Sequence, residues 1–255
     1  MTRRNRRRWS FWRSDRRASL SLAALLLCLG SAGAAQTVAD HLAVCKNEAL
    51  DFKARIEGCT RVLEGAGDNE DLSIEALLQR GVLAELSGDQ EAALADYSAI
   101  IKLDPSNAIA YFNRGNVRDR LGEQELAIQD YTEAIRLDPS DPDMFNNRGQ
   151  VYDSRGEFDL AIADYSEAIK LDTTSGRPYY NRGLSYFSKG ELTAAKADFD
   201  QAISLQPGDV DALVARAATH EELGDKAAAL TDYRRALEAS PDHAEAKEGV
   251  ERLSK

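Results

Sequence analysis

The residues through which this 255-residue chain could do chemistry are few, and their spacing argues against catalysis. It holds three histidines, His41, His220 and His243, none set near a serine or cysteine in the way a base must be to activate a nucleophile. Arg-Gly pairs recur, yet no glycine-rich phosphate loop of the required form follows from them. Adjacent carboxylates such as Glu221-Glu222 read as a solvated helix face, not as an acid/base dyad. No enzyme, no cofactor and no metal are therefore expected. Cys45 and Cys59 could join His41 in a metal site, but a fourth ligand at a recognisable spacing is missing. If the chain is exported, an even pair of cysteines reads as a disulfide. Closing a loop of that size contributes about 3 kcal/mol.

Charged residues offer the most regular constellation. Arg80, Arg114, Arg148, Arg182 and Arg216 form one column, and Asp96, Asp130, Asp164, Asp198 and Asp232 another, at a constant offset. One reading is a basic ladder for an anionic ligand. The stronger reading is an ion pair joining two elements, because a partly buried arginine needs a partner and one arrives with it every time. Such a pair specifies register more than it adds stability.

The elements that carry these columns repeat every 34 residues, five times without a gap. Gly81, Gly115, Gly149, Gly183 and Ala217 share a column, as do Gly88, Gly122, Gly156, Gly190 and Gly224. Ala93, Ala127, Ala161, Ala195 and Ala229 follow, then Tyr97, Tyr131, Tyr165, Phe199 and Tyr233. Units close near Pro105, Pro139, Thr173, Pro207 and Pro241. In the unit 108–141, Ala127, Ile128, Tyr131, Ala134 and Ile135 lie at helical spacing, Gly122 breaks the helix before them, and Asp138-Pro139 stops the one they build. The unit is thus helix, tight turn, helix, link. Gly115 and Ala127 let the backbones approach, and Tyr131 fills the space beside them.

This pattern resembles the tetratricopeptide repeat, with glycine, alanine, tyrosine or phenylalanine, and proline on the signature columns across residues 74–243. The resemblance implies an all-α, right-handed α-solenoid of stacked helix-turn-helix units, 74–107, 108–141, 142–175, 176–209 and 210–243. Residues 36–73 read as a degenerate helical N-terminal cap, in which the segment Ala54–Leu63 echoes a second helix with Cys59 near the tyrosine column and Gly65–Ser73 is an acidic link. Residues 244–255 read as a C-terminal capping helix.

In this family the first helices line a concave groove. Its columns carry over to Phe112, Asn116 and Arg120 in one unit, Asp143, Asn146, Gln150 and Asp153 in the next, and Arg177, Tyr180, Leu184 and Phe187 in the one after. Amides such as Asn116, Asn146 and Gln150 can bond the backbone of an extended peptide, and aromatics can take its apolar side chains. The resemblance thus implies that Phe112, Asn116, Arg120, Asn146, Gln150, Tyr180 and Phe187 bind the ligand. The column where some relatives clamp a C-terminal carboxylate with lysine holds Leu78, Phe112, Asn146, Tyr180 and Val214, so that type of adaptor is not expected.

Residues 1–35 stand apart. Eight arginines precede an apolar run, Leu20–Leu29, and then Ala32-Gly33-Ala34-Ala35, the layout of a secretory signal cut after Ala34 or Ala35. Arg16-Arg17 invites a twin-arginine reading that Ser19 disfavours, and Cys28 a lipoprotein reading that Leu27 disfavours. The run is short for a permanent anchor, the alternative being an uncleaved inner-membrane one. Cleavage would leave 24 basic and 42 acidic residues. That balance excludes a general nucleic-acid binder, since such binding needs a basic face.

The expected protein is an exported, periplasmic, monomeric, non-catalytic scaffold that holds an envelope protein or peptide in its groove, without stable membrane insertion after cleavage. The alternative is a structural or assembly subunit that self-associates through its convex face or ends.

Overall fold

The computed structural model describes residues 37–254; the signal expected over 1–35, with its cleavage points, lies outside them. The described residues form thirteen α-helices: α1 (Val38–Lys46), α2 (Phe52–Gly65), α3 (Glu70–Ser87), α4 (Gln90–Leu103), α5 (Ala108–Arg120), α6 (Gln124–Leu137), α7 (Pro142–Ser154), α8 (Phe158–Leu171), α9 (Gly176–Ser188), α10 (Leu192–Leu205), α11 (Val210–Glu222), α12 (Lys226–Ala239) and α13 (Ala244–Leu253). Consecutive helices pack in antiparallel pairs, and each pair leans on the next. The first helices of successive units also touch one another, which puts them on the inner side of the stack. None of the described helices is long and apolar enough to cross a membrane.

Local chemistry sets the boundaries. Asn107 caps α5 by accepting from the Ala110 amide at 3.0 Å. Gly122 then adopts φ +77°, a left-handed conformation that turns the chain into α6 at no steric cost. After α6, Asp138 Oδ1 accepts from the Ser140 amide at 3.0 Å and its hydroxyl at 2.6 Å, so the link is held by an aspartate turn.

Each pair closes on a glycine and a ring. A Cβ on Gly115 would lie 2.9 Å from Tyr131 Cε1, and one on Gly149 would lie 2.8 Å from Tyr165 Cε1. Those tyrosines are buried, as are Ala127, Ala134, Ala161 and Ala168 of the same second helices. The fifth unit has Ala217 in the glycine column, within the same buried cluster as Tyr233, and the Tyr233 ring also meets Gly249 of the capping helix α13.

The N-terminal cap departs from expectation in one respect. The link predicted over 65–73 is shorter, because α3 begins at Glu70. Asn69 accepts from the Leu72 amide, and Glu70 and Asp71 stand in the positive first turn, so the added turn is well capped. Counted from the helix starts, Cys45 of α1 holds the glycine position and Cys59 of α2 the tyrosine position. They are joined by a disulfide, with Cα atoms 4.7 Å apart. With both sulfurs bonded to each other, His41 has no thiolate partners for a metal.

Candidate binding groove

The arginine columns build the frame behind the groove. Arg148 Nε and Nη2 donate to Asp164 Oδ2 and Oδ1, both at 2.8 Å, a bidentate pair across α7 and α8. All five units repeat it. The remaining nitrogen, Nη1, reaches back to the preceding unit: to Thr60, Ser98, Thr132, Ser166 and Asp200 in turn. The guanidinium plane is also flanked by aromatics, Phe145 and Tyr152 about Arg148, Tyr179 and Tyr186 about Arg182. The ladder's donors are taken up internally, and it ties helix to helix and unit to unit.

A second chain of contacts runs through the first helices. Asn116 Oδ1 accepts from the Tyr131 hydroxyl at 2.7 Å and from Asn147 Nδ2 at 2.9 Å. Asn146 Nδ2 donates to Asn147 Oδ1 at 3.3 Å, and its own Oδ1 accepts from Asn181 Nδ2 at 3.0 Å. Asn146 is 1% exposed. The amides read from sequence as ligand contacts at 116 and 146 thus meet each other through Asn147 and join three units. Gln150 stays exposed. Phe112 is half-buried and packs on Tyr131, ring centroids 5.9 Å apart, so it belongs to the interior between helices. Arg120 is exposed and pairs with Glu85 of the preceding unit, which also accepts from the Tyr97 hydroxyl.

Glu85 belongs to a column of which the sequence reading takes only Asp153 and Phe187 into the groove: Glu85, Asp119, Asp153, Phe187 and Glu221. At both ends its acid takes a tyrosine hydroxyl, Glu221 accepting from Tyr233 at 2.7 Å. Burial and the neighbouring carboxylate push both phenols above their ordinary range. In the fourth unit Phe199 has no hydroxyl to offer, and the acid gives way to Phe187.

That double change creates a pocket of about 210 Å³ at the C-terminal end of the groove. Tyr180, Leu184 and Phe187 of α9 form one wall, Val214, Ala215 and Ala218 of α11 the other, and Phe199 the floor. Tyr180 packs on Phe199 with centroids 6.0 Å apart. Asp211, His243 and Glu245 complete the rim. Burial raises the Tyr180 phenol, and Asp211, Asp209 and Glu245 raise it further. Of the seven groove residues expected from sequence, Tyr180 and Phe187 converge here; Phe112, Asn116, Arg120, Asn146 and Gln150 lie outside it. The pocket's size, below the ~300–1,000 Å³ of small-molecule sites, suits a single side chain.

This geometry, stacked helix pairs with an inner row of first helices, is that of a helical-repeat binding protein. Residues 86–122, 120–154 and 152–190 match the family described as TPR repeat, and residues 180–244 the one described as tetratricopeptide repeat. The chain belongs to the tetratricopeptide repeat family. No curated protein matches it significantly. Among solved structures it is similar to MamA, at 27% identity and a TM-score of 0.61 over 63% of this chain and 94% of that one. It is also similar to YrrB, described as a TPR protein with an unusual peptide-binding site, at 24% identity and a TM-score of 0.65 over 77% and 99%. PilF of Pseudomonas aeruginosa has the same fold, at 22% identity and a TM-score of 0.66 over 73% and 85%.

Proposed function

We propose that this protein is an exported, non-catalytic scaffold of the cell envelope that holds a partner protein or peptide along its concave face. The family to which the chain belongs, and an inner face that ends in an apolar pocket, support a protein-interaction role. The observation that carries the reading is that pocket: Tyr180, Leu184 and Phe187 are left partly open, whereas the first, second and fifth units hold a tyrosine hydroxyl on Glu85, Asn116 and Glu221. Binding would draw on preorganisation, since the ion pairs and amide chain already fix the helices and little order is lost on contact. Export rests on the layout of residues 1–35 and on the Cys45–Cys59 disulfide, which suits an oxidising compartment.

The test is a crosslinking pulldown from the envelope fraction, comparing the parent chain with a Gln150→Ala, Tyr180→Ala variant. Partners recovered by the parent and lost by the variant are expected. Identical recoveries would mean that the concave face is idle, and a self-associating structural subunit would then be the better account.

A further inference from the structure

The charges along the inner face are not paired evenly. Across the unit junctions, Lys46 meets Glu75, Arg120 meets Glu85, Arg177 meets Asp143 and Arg252 meets Glu221. At the pocket the pattern breaks. Asp211 and Glu245 stand on its rim, each the second residue of its helix and 34 residues apart, continuing the row that begins with Asp143 and Arg177. Arg177 answers Asp143; among the described residues no cation pairs with Asp211 or Glu245, and both are exposed. An acid in a helix's first turn is favourable against the dipole. The dipole does not account for the open apolar floor directly beneath two of them.

We infer that this pocket is the anchoring subsite for an extended cationic segment of the partner. One large apolar or aromatic side chain enters between Tyr180, Leu184 and Phe187, and a lysine or arginine beside it pairs with Asp211 and Glu245. The inference rests on the groove being a binding face, and it names the chemistry of what binds. The volume admits one side chain and its walls are aliphatic and aromatic, which sets the anchor. The two unanswered carboxylates set the flanking charge, and a neutral or acidic neighbour would leave them repelling or unpaired. The Tyr180 phenol, pushed further up by burial and by nearby carboxylates, can donate its hydroxyl proton to the segment's backbone.

The probe is a fluorescent peptide, Gly-Ser-Arg-Phe-Arg-Ser-Gly, titrated into the purified chain. Binding is expected, weakened about tenfold or more by peptide Phe→Ala, by peptide Arg→Glu, and by the double variant Asp211→Asn, Glu245→Gln. Ala218→Phe, which fills the pocket, is expected to remove binding while circular dichroism shows the helices intact; the two exposed rim changes serve as the check if that variant fails to fold. Equal affinity for the Arg→Glu peptide, or unchanged binding by the rim variant, would overturn the inference. A parallel selection of random displayed peptides on the same chain separates the two levels of the argument. Peptides that bind and are lost on Tyr180→Ala, yet carry no cation beside an apolar residue, would keep the groove and remove this pocket chemistry. A selection that yields no binder would remove the groove reading and this inference with it.

Discussion

The first helix pair and the five that follow close at the same two positions with different chemistry. In α7 and α8, Gly149 lets the Tyr165 ring come up against the backbone, and one residue earlier Arg148 pairs with Asp164. In α1 and α2 the glycine and tyrosine positions hold the Cys45–Cys59 disulfide. The arginine and aspartate positions hold Val44 and Gly58, where a Cβ on Gly58 would lie 2.8 Å from Val44 Cγ1 and from the Cys45 amide nitrogen. A repeat inside the stack is supported from both sides, so a ring packed on glycine and a solvent-shielded ion pair suffice. Among the described residues the α1–α2 pair packs on one neighbouring pair only, and there a covalent bond with close backbone contact joins its two helices. Even so, it stays connected to the frame, because Thr60 of α2 accepts from Arg80 as Ser98 does from Arg114.

The largest effect should come from breaking an ion pair on one side. Asp164→Ala strands Arg148 among Phe145, Tyr152 and Thr132 and is expected to cost about 3 kcal/mol or more by denaturant unfolding. Replacing both partners, as Arg148→Met with Asp164→Leu, should cost much less; a double variant as unstable as the single would show that the pair does more than satisfy itself. Next comes the disulfide. Changing Cys45 and Cys59 to alanine should remove about 3 kcal/mol from the cap alone. Hydrogen exchange should then quicken over 37–64 and stay unchanged over 74–243, and uniform quickening would contradict the division drawn above. Gly149→Val should part α7 and α8 at a cost of about 1–3 kcal/mol through overpacking against Tyr165. The smallest effect concerns the far end. Glu221 lies below its ordinary value near 4.5, held there by Arg252 first and by Tyr233 against the opposing effect of burial. A lowered folded value means its contribution is present above pH 4.5 and lost as pH falls through the folded value. Acid should therefore loosen α13 before the central units, read by exchange at Val250 and Leu253.

The units were legible because one helix pair was written five times: α5 starts with its unit at Ala108 and ends before Gly122, and α6 stops before Asp138, as the sequence reads. The arginine–aspartate pairing was legible for the same reason, as two columns at a constant offset. What escaped were contacts between units. Nothing in a single repeat announces that Arg148 Nη1 reaches Thr132, or that Asn146 turns inward to Asn181. These depend on how one pair is stacked on the last. The pocket had a signal that went unread: Phe187 departs from an acidic column in the one unit whose ring, Phe199, lacks a hydroxyl. The early start of α3 was hidden by acidic residues that suit a link and a first helical turn equally well.

The most direct test of the central claim is site-specific photocrosslinking in the intact envelope, with benzoylphenylalanine placed in turn at Gln150 on α7 and at Leu160, an exposed residue of the second helix α8. Adducts to a common partner from position 150, with none from position 160, are the predicted result. Adducts from 160 alone, or adducts to further copies of the same chain, would contradict a concave-face scaffold.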